Sequence, residues 1–113
     1  MKYVVAIIQP HQLDDVREEL SAEEINMITV TPVLGCGRQK GHTEVYRGME
    51  EMGNLLKKVK IEIAVTEPDL QRTIDALVKG ARTGSIGDGK IFIFEMEDSI
   101  RIRTGETGSS AVW

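Results

Sequence analysis

Apolar and polar positions along this chain change period several times, and the changes mark out a succession of short elements. Tyr3 to Ile8 reads YVVAII, a β-branched run bounded by Pro10. In a strand, Val4, Ala6 and Ile8 face one side and Tyr3, Val5 and Ile7 the other, so both faces call for burial. From Leu13 to Glu24 the apolar residues Leu13, Val16 and Leu20 recur at helical spacing. Asp14 and Asp15 fall in the first turn, where the helix dipole favours negative charge. Ile28 to Leu34 contains Thr29, Val30, Thr31 and Val33, a strand-prone run that stops at Gly35; Pro32 places it at a sheet edge or a bulge. Lys60 to Val65 alternates cleanly, with Ile61, Ile63 and Val65 on one face and Lys60, Glu62 and Ala64 on the other. Pro68 then stands at a first helical position, Leu70, Ile74, Leu77 and Val78 form an apolar stripe, and Gly80 reads as a C-terminal stop. Ile91 to Phe94 is a short apolar strand, and Ile100 to Arg103 a smaller extended segment ending at Thr104-Gly105.

This βαββαβ order predicts an α+β fold of the ferredoxin-like split type, an antiparallel sheet with both helices on one face. The other face needs a cover. Tyr3, Val5, Ile7, Ala64 and part of Ile91 to Phe94 are apolar where two helices cannot shield them, which points to burial by other subunits; a modest exposed patch is the alternative. Between Cys36 and Lys58 the chain has no stable period and holds Gly37, Gly41, Gly48 and Gly53. A loop of this length is usually functional or mobile, the alternative being a hairpin extension that only packs.

A length of 113 residues fits one domain, and 41% hydrophobic with 28% charged residues is ordinary globular usage. Fourteen basic against eighteen acidic side chains leave a net charge of -4, which disfavours a general nucleic-acid or acidic-membrane binder and requires any anion site to be built locally. The first ten residues do not resemble a secretory signal, and no later run reaches the length of a membrane span. Cys36 is the sole cysteine, so the chain has no internal disulfide framework and a reducing cytoplasm is the expected compartment.

The local anion site has candidates. Thr83-Gly84-Ser85-Ile86-Gly87-Asp88-Gly89-Lys90 concentrates three glycines and a lysine between a helix and a strand. Glycines let backbone N–H groups converge on phosphate oxygens, and a lysine adds charge. Gly84 to Lys90 matches part of a P-loop, but Ile91 stands where a magnesium-binding Ser or Thr belongs and a strand follows, so the Walker reading fails. A plain tight turn competes with a phosphate-binding turn of another kind. Arg101-Ile102-Arg103, if extended, puts both guanidinium groups on one face, either to meet an anion or as a solvated basic edge. Gly37-Arg38-Gln39-Lys40-Gly41 is a second glycine-flanked basic turn with the same two readings.

Enzymatic chemistry finds no support, because His11 and His42 are far apart and have no recognisable catalytic partner. RNA-binding domains of the same element order need aromatic residues on two central strands. Here there are five aromatic residues in all, and Phe92 and Phe94 sit on a single strand. A metal-sensing module using Cys36, His11 and His42 is the stronger competitor.

Several phrases carry a more specific resemblance. Gly37-Arg38-Gln39-Lys40-Gly41-His42-Thr43-Glu44, Tyr46-Arg47-Gly48, Val59-Lys60-Ile61-Glu62-Ile63, Ala81-Arg82-Thr83-Gly84, Ile86-Gly87-Asp88-Gly89-Lys90-Ile91-Phe92 and Ile100-Arg101-Ile102-Arg103-Thr104-Gly105-Glu106 resemble the PII signal-transduction proteins, from Met1 to about Gly108. The resemblance implies a non-enzymatic regulator, a compact homotrimer with ATP or ADP in each of three clefts between neighbours. Residues 82–90 are then a phosphate-binding loop, with Gly87, Asp88, Gly89 and Lys90 at the nucleotide. They are joined by Gly35, Gly37, Arg38 and Gln39, and by Arg101 and Arg103 of the adjacent subunit, within a nucleotide-contacting loop at 101–108. Thr29, Glu62 and Ala64 occupy positions near the base, where valine is more usual than Ala64. With Mg2+ and ATP in place, 2-oxoglutarate is expected at Gln39, Lys40, Gly41, Lys58 and Gly87, Gln39 completing the magnesium shell and Lys58 meeting the distal carboxylate.

The loop at 37–57 is implied to be mobile and to dock on a partner through Tyr46 and Arg47, a membrane ammonium channel or another nitrogen-metabolism target; a different transporter or enzyme is the alternative. Such recruitment would bring a cytoplasmic protein to the membrane. Four positions besides Ala64 depart from the pattern. Glu51 replaces the tyrosine that is uridylylated in some relatives and Met49 the serine that is phosphorylated in others, while Cys36 and Lys57 replace a phenylalanine and a proline.

Overall fold

The computed structural model describes residues 1–36 and 55–113. Four strands form one antiparallel sheet: β1 (Lys2–Ile8), β2 (Thr29–Gly35), β3 (Leu56–Val65) and β4 (Gly89–Glu95), in the order β2-β3-β1-β4. Helix α1 (Leu13–Ala22) follows β1 and helix α2 (Glu67–Ala81) follows β3, giving the ferredoxin-like βαββαβ arrangement. Pro32 lies on the edge strand β2, where its missing N–H breaks no interior ladder.

Register follows the alternation. Val4 faces Ile63 and Ile93, and Ala6 faces Ile61 and Ile91. These residues share the face covered by the helices, where Val4, Ala6, Ile61, Ile63 and Val65 pack with Val16, Leu20 and Leu77 in a sealed core. Full burial of one such side chain contributes about 1.5–3 kcal/mol. The opposite face carries Tyr3, Val5 and Ile7 on β1 beside Phe94, Phe92 and Lys90 on β4. Phe92 and Phe94 remain 46% and 54% exposed, so the face expected to need a cover is the uncovered one.

Four local readings change. Gly80 does not stop α2. It sits buried in the last turn, where a Cβ would fall 2.5 Å from the Val16 Cα, so its role is to let α1 and α2 cross closely. Gln12 donates to the Gly80 carbonyl at 2.9 Å across the same contact. Helix α1 ends at Ala22 rather than Glu24; the chain turns through Glu24 with φ 62°, and the Ile25 N–H returns to the Leu20 carbonyl at 2.9 Å, closing the helix. Ile100 to Arg103 is not extended. Ile100 makes an isolated bridge with Thr107, and a tight turn between them returns the Gly105 N–H to the Arg101 carbonyl at 2.7 Å. Turn chemistry at Thr104-Gly105 outweighs the alternation of Ile100, Arg101, Ile102 and Arg103. β3 also begins earlier than its alternation suggests, at Leu56, because Leu56 to Val59 pair with Gly35 to Pro32.

Candidate functional site

The glycine turn between α2 and β4 is tied by its own aspartate. The Asp88 carboxylate accepts from the Thr83 N–H at 2.7 Å, from the Gly84 N–H at 2.9 Å and from the Thr83 hydroxyl. The Thr83 hydroxyl and these amides hold the Asp88 carboxyl below its ordinary range. Asp88 thus shapes the turn. Gly89, at φ 117°, lies so close to β1 that a Cβ would be 1.8 Å from the Ile7 carbonyl oxygen. Strand pairing alone accounts for glycine at that position.

Beyond the turn, distant parts of the chain converge. The Gly87 carbonyl accepts from the Gln9 side-chain amide at 2.7 Å and from the Lys58 ammonium at 3.4 Å. Gln9, at the end of β1, carries no motif signal, and only the fold reveals its place. Ile7 is flanked in register by Lys60 on β3 and Lys90 on β4, so both lysines share the uncovered face at the end of the sheet beside the glycine turn. Lys60 reaches Glu62 at 3.9 Å. Its place beside the glycine turn depends on register and was not read from the sequence. Thr29 lies directly opposite Glu62, and Ala64 follows two residues later on the same face, opposite Tyr3. Burial and a hydrogen bond with Glu62 raise the Tyr3 hydroxyl above its ordinary pKa.

Lys90 and Arg103 are exposed and have no hydrogen-bond or ion-pair partner among the described residues. Arg101 is engaged: it donates to the Glu106 carboxylate at 2.7 Å, to the Ser110 carbonyl at 3.1 Å and to the Trp113 carbonyl. Its segment belongs to the far end of the sheet, since β4 runs from Gly89 beside Ile8 to Glu95 beside Lys2, about 20 Å away at strand rise. One chain therefore does not bring Arg101 and Arg103 to the glycine turn. Gly35 ends β2 opposite Leu56, near Lys58. Gly37, Arg38, Gln39, Lys40, Gly41, Tyr46 and Arg47 lie outside the described residues.

A cleft of about 250 Å³ opens on the helix side of the sheet, floored by Ile8, Leu77, Ala81 and Ile91 with Arg82 at its rim. Asp88, Gly89 and Lys90 of the glycine turn complete its lining, so the cleft is apolar at its floor and carries charged residues at its edge. Among the described residues no group of three or more His, Cys, Asp or Glu gathers as a metal site, and no helix is long and apolar enough to cross a membrane.

Residues 1–106 match the family model described as Nitrogen regulatory protein P-II. A protein named Nitrogen regulatory protein P-II from Rhizobium etli is 54% identical over 112 residues, covering 99% of this chain and all of the relative. One from Pasteurella multocida is 55% identical with the same coverage, and Nitrogen regulatory protein P-II 1 of Escherichia coli K12 is 54% identical. Among solved structures, Arabidopsis thaliana PII bound to citrate superposes with a TM-score of 0.80 at 35% identity, over 98% of this chain and 88% of that one.

Proposed function

This chain belongs to the family of nitrogen regulatory protein P-II, and on that premise we propose that it is a non-enzymatic sensor of ATP or ADP and of 2-oxoglutarate, reporting to a nitrogen-related partner. The observation that carries this reading is the meeting of Lys58 with the Gly87 carbonyl, 29 residues apart in sequence, at the sheet end where Lys60 and Lys90 also stand.

The residues there suit phosphate and carboxylate oxygens. Lys90 offers an ammonium group with no competing partner among the described residues, and Lys58 spends only a long 3.4 Å bond on a carbonyl that an anion would outbid. Arg103 at the far end is equally available, and a second and third copy of the chain would bring that end to a neighbour's glycine turn. A homotrimer also supplies the cover for Val5, Phe92 and Phe94. Magnesium, held by Gln39 together with ligand oxygens, would neutralise phosphate charge and bind one end of 2-oxoglutarate. Lys58 then meets the distal carboxylate. The Arabidopsis relative, bound to citrate, is a protein of this fold that holds a small polycarboxylate.

The loop at 37–57, with Tyr46 and Arg47, carries the signal, to a membrane ammonium channel or another nitrogen-metabolism target. Glu51 and Met49 offer no tyrosine or serine for covalent switching, so ligand occupancy selects the docking state. The protein acts in the cytoplasm and reaches the membrane through its partner.

Calorimetric titration of ATP with and without Mg2+, followed by 2-oxoglutarate, tests the reading. Nucleotide binding with 2-oxoglutarate uptake only in Mg2+ and ATP is the expected result. Uptake of equal strength with ADP or without metal would overturn the 2-oxoglutarate mechanism, and absence of nucleotide binding would overturn the whole reading.

A further inference from the structure

Arg101 is expected at phosphate, yet its guanidinium is taken up within its own chain. The turn after Ile100 brings Glu106 back beside it, with the Arg101 N–H donating to the Glu106 carbonyl at 2.9 Å and Nη1 to the carboxylate at 2.7 Å. Nη2 donates to the Ser110 carbonyl at 3.1 Å and to the Trp113 carbonyl. Trp113 is itself seated: its indole N–H donates to the Ala64 carbonyl at 2.7 Å, and its ring packs against the core. The Ser99 hydroxyl holds the Ala111 carbonyl at 3.1 Å, completing the fastening of this segment.

A guanidinium has five N–H donors, and it forks an oxyanion through one of two edges, Nε with Nη2 or Nη1 with Nη2. Both edges need Nη2. Each of its two N–H groups already serves a carbonyl of the Ser110 to Trp113 segment. A forked contact to phosphate therefore requires that segment to let go.

We propose that the segment from Gly108 to Trp113 is an internal competitor for Arg101, seated on Ala64 in the unliganded chain and released when a polyphosphate takes the Nη2 edge. This rests on the reading that Arg101 meets nucleotide phosphate, and adds a regulation of that site. Release does two things together. It frees the Arg101 fork, and it uncovers, on β3, the carbonyl of Ala64, a residue expected near the base. Nucleotide binding and the seating of Trp113 are thereby mutually exclusive, and by linkage whatever loosens one strengthens the other.

Trp113 is the sole tryptophan, so its emission reports its seat in the full-length protein. Saturating ATP with Mg2+ shifts that emission to the red, and Arg101→Ala shows the shifted emission without nucleotide. Trp113→Phe keeps an aromatic ring but loses the donor to Ala64, and by calorimetry it binds ATP about two- to tenfold more tightly, the worth of one hydrogen bond. Equal or weaker ATP binding by Trp113→Phe, or unchanged emission when ATP saturates the wild type, overturns the competitor while the nucleotide reading stands. ATP binding to neither protein overturns both.

Discussion

Lys58 donates to the Gly87 carbonyl at 3.4 Å, fastening the loop-proximal half of β3 to the glycine turn that precedes β4. Gln9 shares that carbonyl at 2.7 Å, so the turn keeps its position when Lys58 is withdrawn. Lys58→Ala should therefore leave ATP binding within about twofold and weaken 2-oxoglutarate binding about tenfold or more, the loss of one charge-assisted contact. Sequential calorimetric titrations check this; equal 2-oxoglutarate affinity in the variant would remove Lys58 from the site.

Gly80→Ala is expected to destabilise the fold by about 1–3 kcal/mol, because the new methyl group meets the Val16 backbone and helices must separate to admit it. In a helix interior free of such a contact the same change would stabilise by about 1 kcal/mol. Urea denaturation at neutral pH gives the sign, and a gain in stability would show that the crossing is looser than the 2.5 Å approach implies.

These two residues show where the sequence was legible. Ile61, Ile63 and Val65 alternate on a half-buried strand, and period alone assigns them to the core. Gly80 is ambiguous in one dimension, since a glycine that ends a helix and one that admits a neighbouring helix look alike until Val16 is seen against it. Arg101 and Arg103 alternate with isoleucines as a strand would, but the Thr104-Gly105 turn and the Glu106 carboxylate decide the local path. At the site, the glycine turn and the basic residues were visible as weak motifs. That Lys58 and Gly87 belong to one site was expected from family resemblance rather than from spacing, and their hydrogen bond was not foreseen. Gln9 meets Gly87 through a side-chain hydrogen bond and Lys60 stands beside Ile7 through strand register, information that no local window contains.

Asp88 is expected to titrate below 3.8, the ordinary aspartate value, because the Thr83 hydroxyl and the amides of the turn favour its charged form. A carboxyl whose pKa is depressed by folding contributes its full stabilisation above the ordinary value and loses it as pH falls through the depressed one. Protection of the Thr83 and Gly84 amides from hydrogen exchange should accordingly persist through mild acid and fail only below that range. Asp88→Asn should lose much of the protection at neutral pH. Unaltered exchange in that variant would mean that the turn is held by its glycines alone.

The uncovered face of the sheet gives the last prediction. Val5 lies between Glu62 on β3 and Phe92 on β4, and Tyr3 between Ala64 and Phe94, so apolar side chains form a band on β1 and β4 that reaches β3 only at Ala64 and is bordered there by Glu62, with both helices on the other side. Phe92 and Phe94 retain about half their surface, 46% and 54% exposed. Completing the burial of such a ring is worth roughly half of the 1.5–3 kcal/mol of a fully buried Phe, and each subunit of a trimer contributes two. Phe92→Asp replaces that gain with a desolvated charge in the middle of the band, so it should yield monomers while the core, on the opposite face, keeps each chain folded. Phe92→Leu should remain trimeric. Light scattering at micromolar concentration distinguishes the three proteins, with circular dichroism confirming that Phe92→Asp is folded. A monomeric wild type would overturn the trimer, and a trimer undisturbed by the aspartate would place the subunit contact elsewhere.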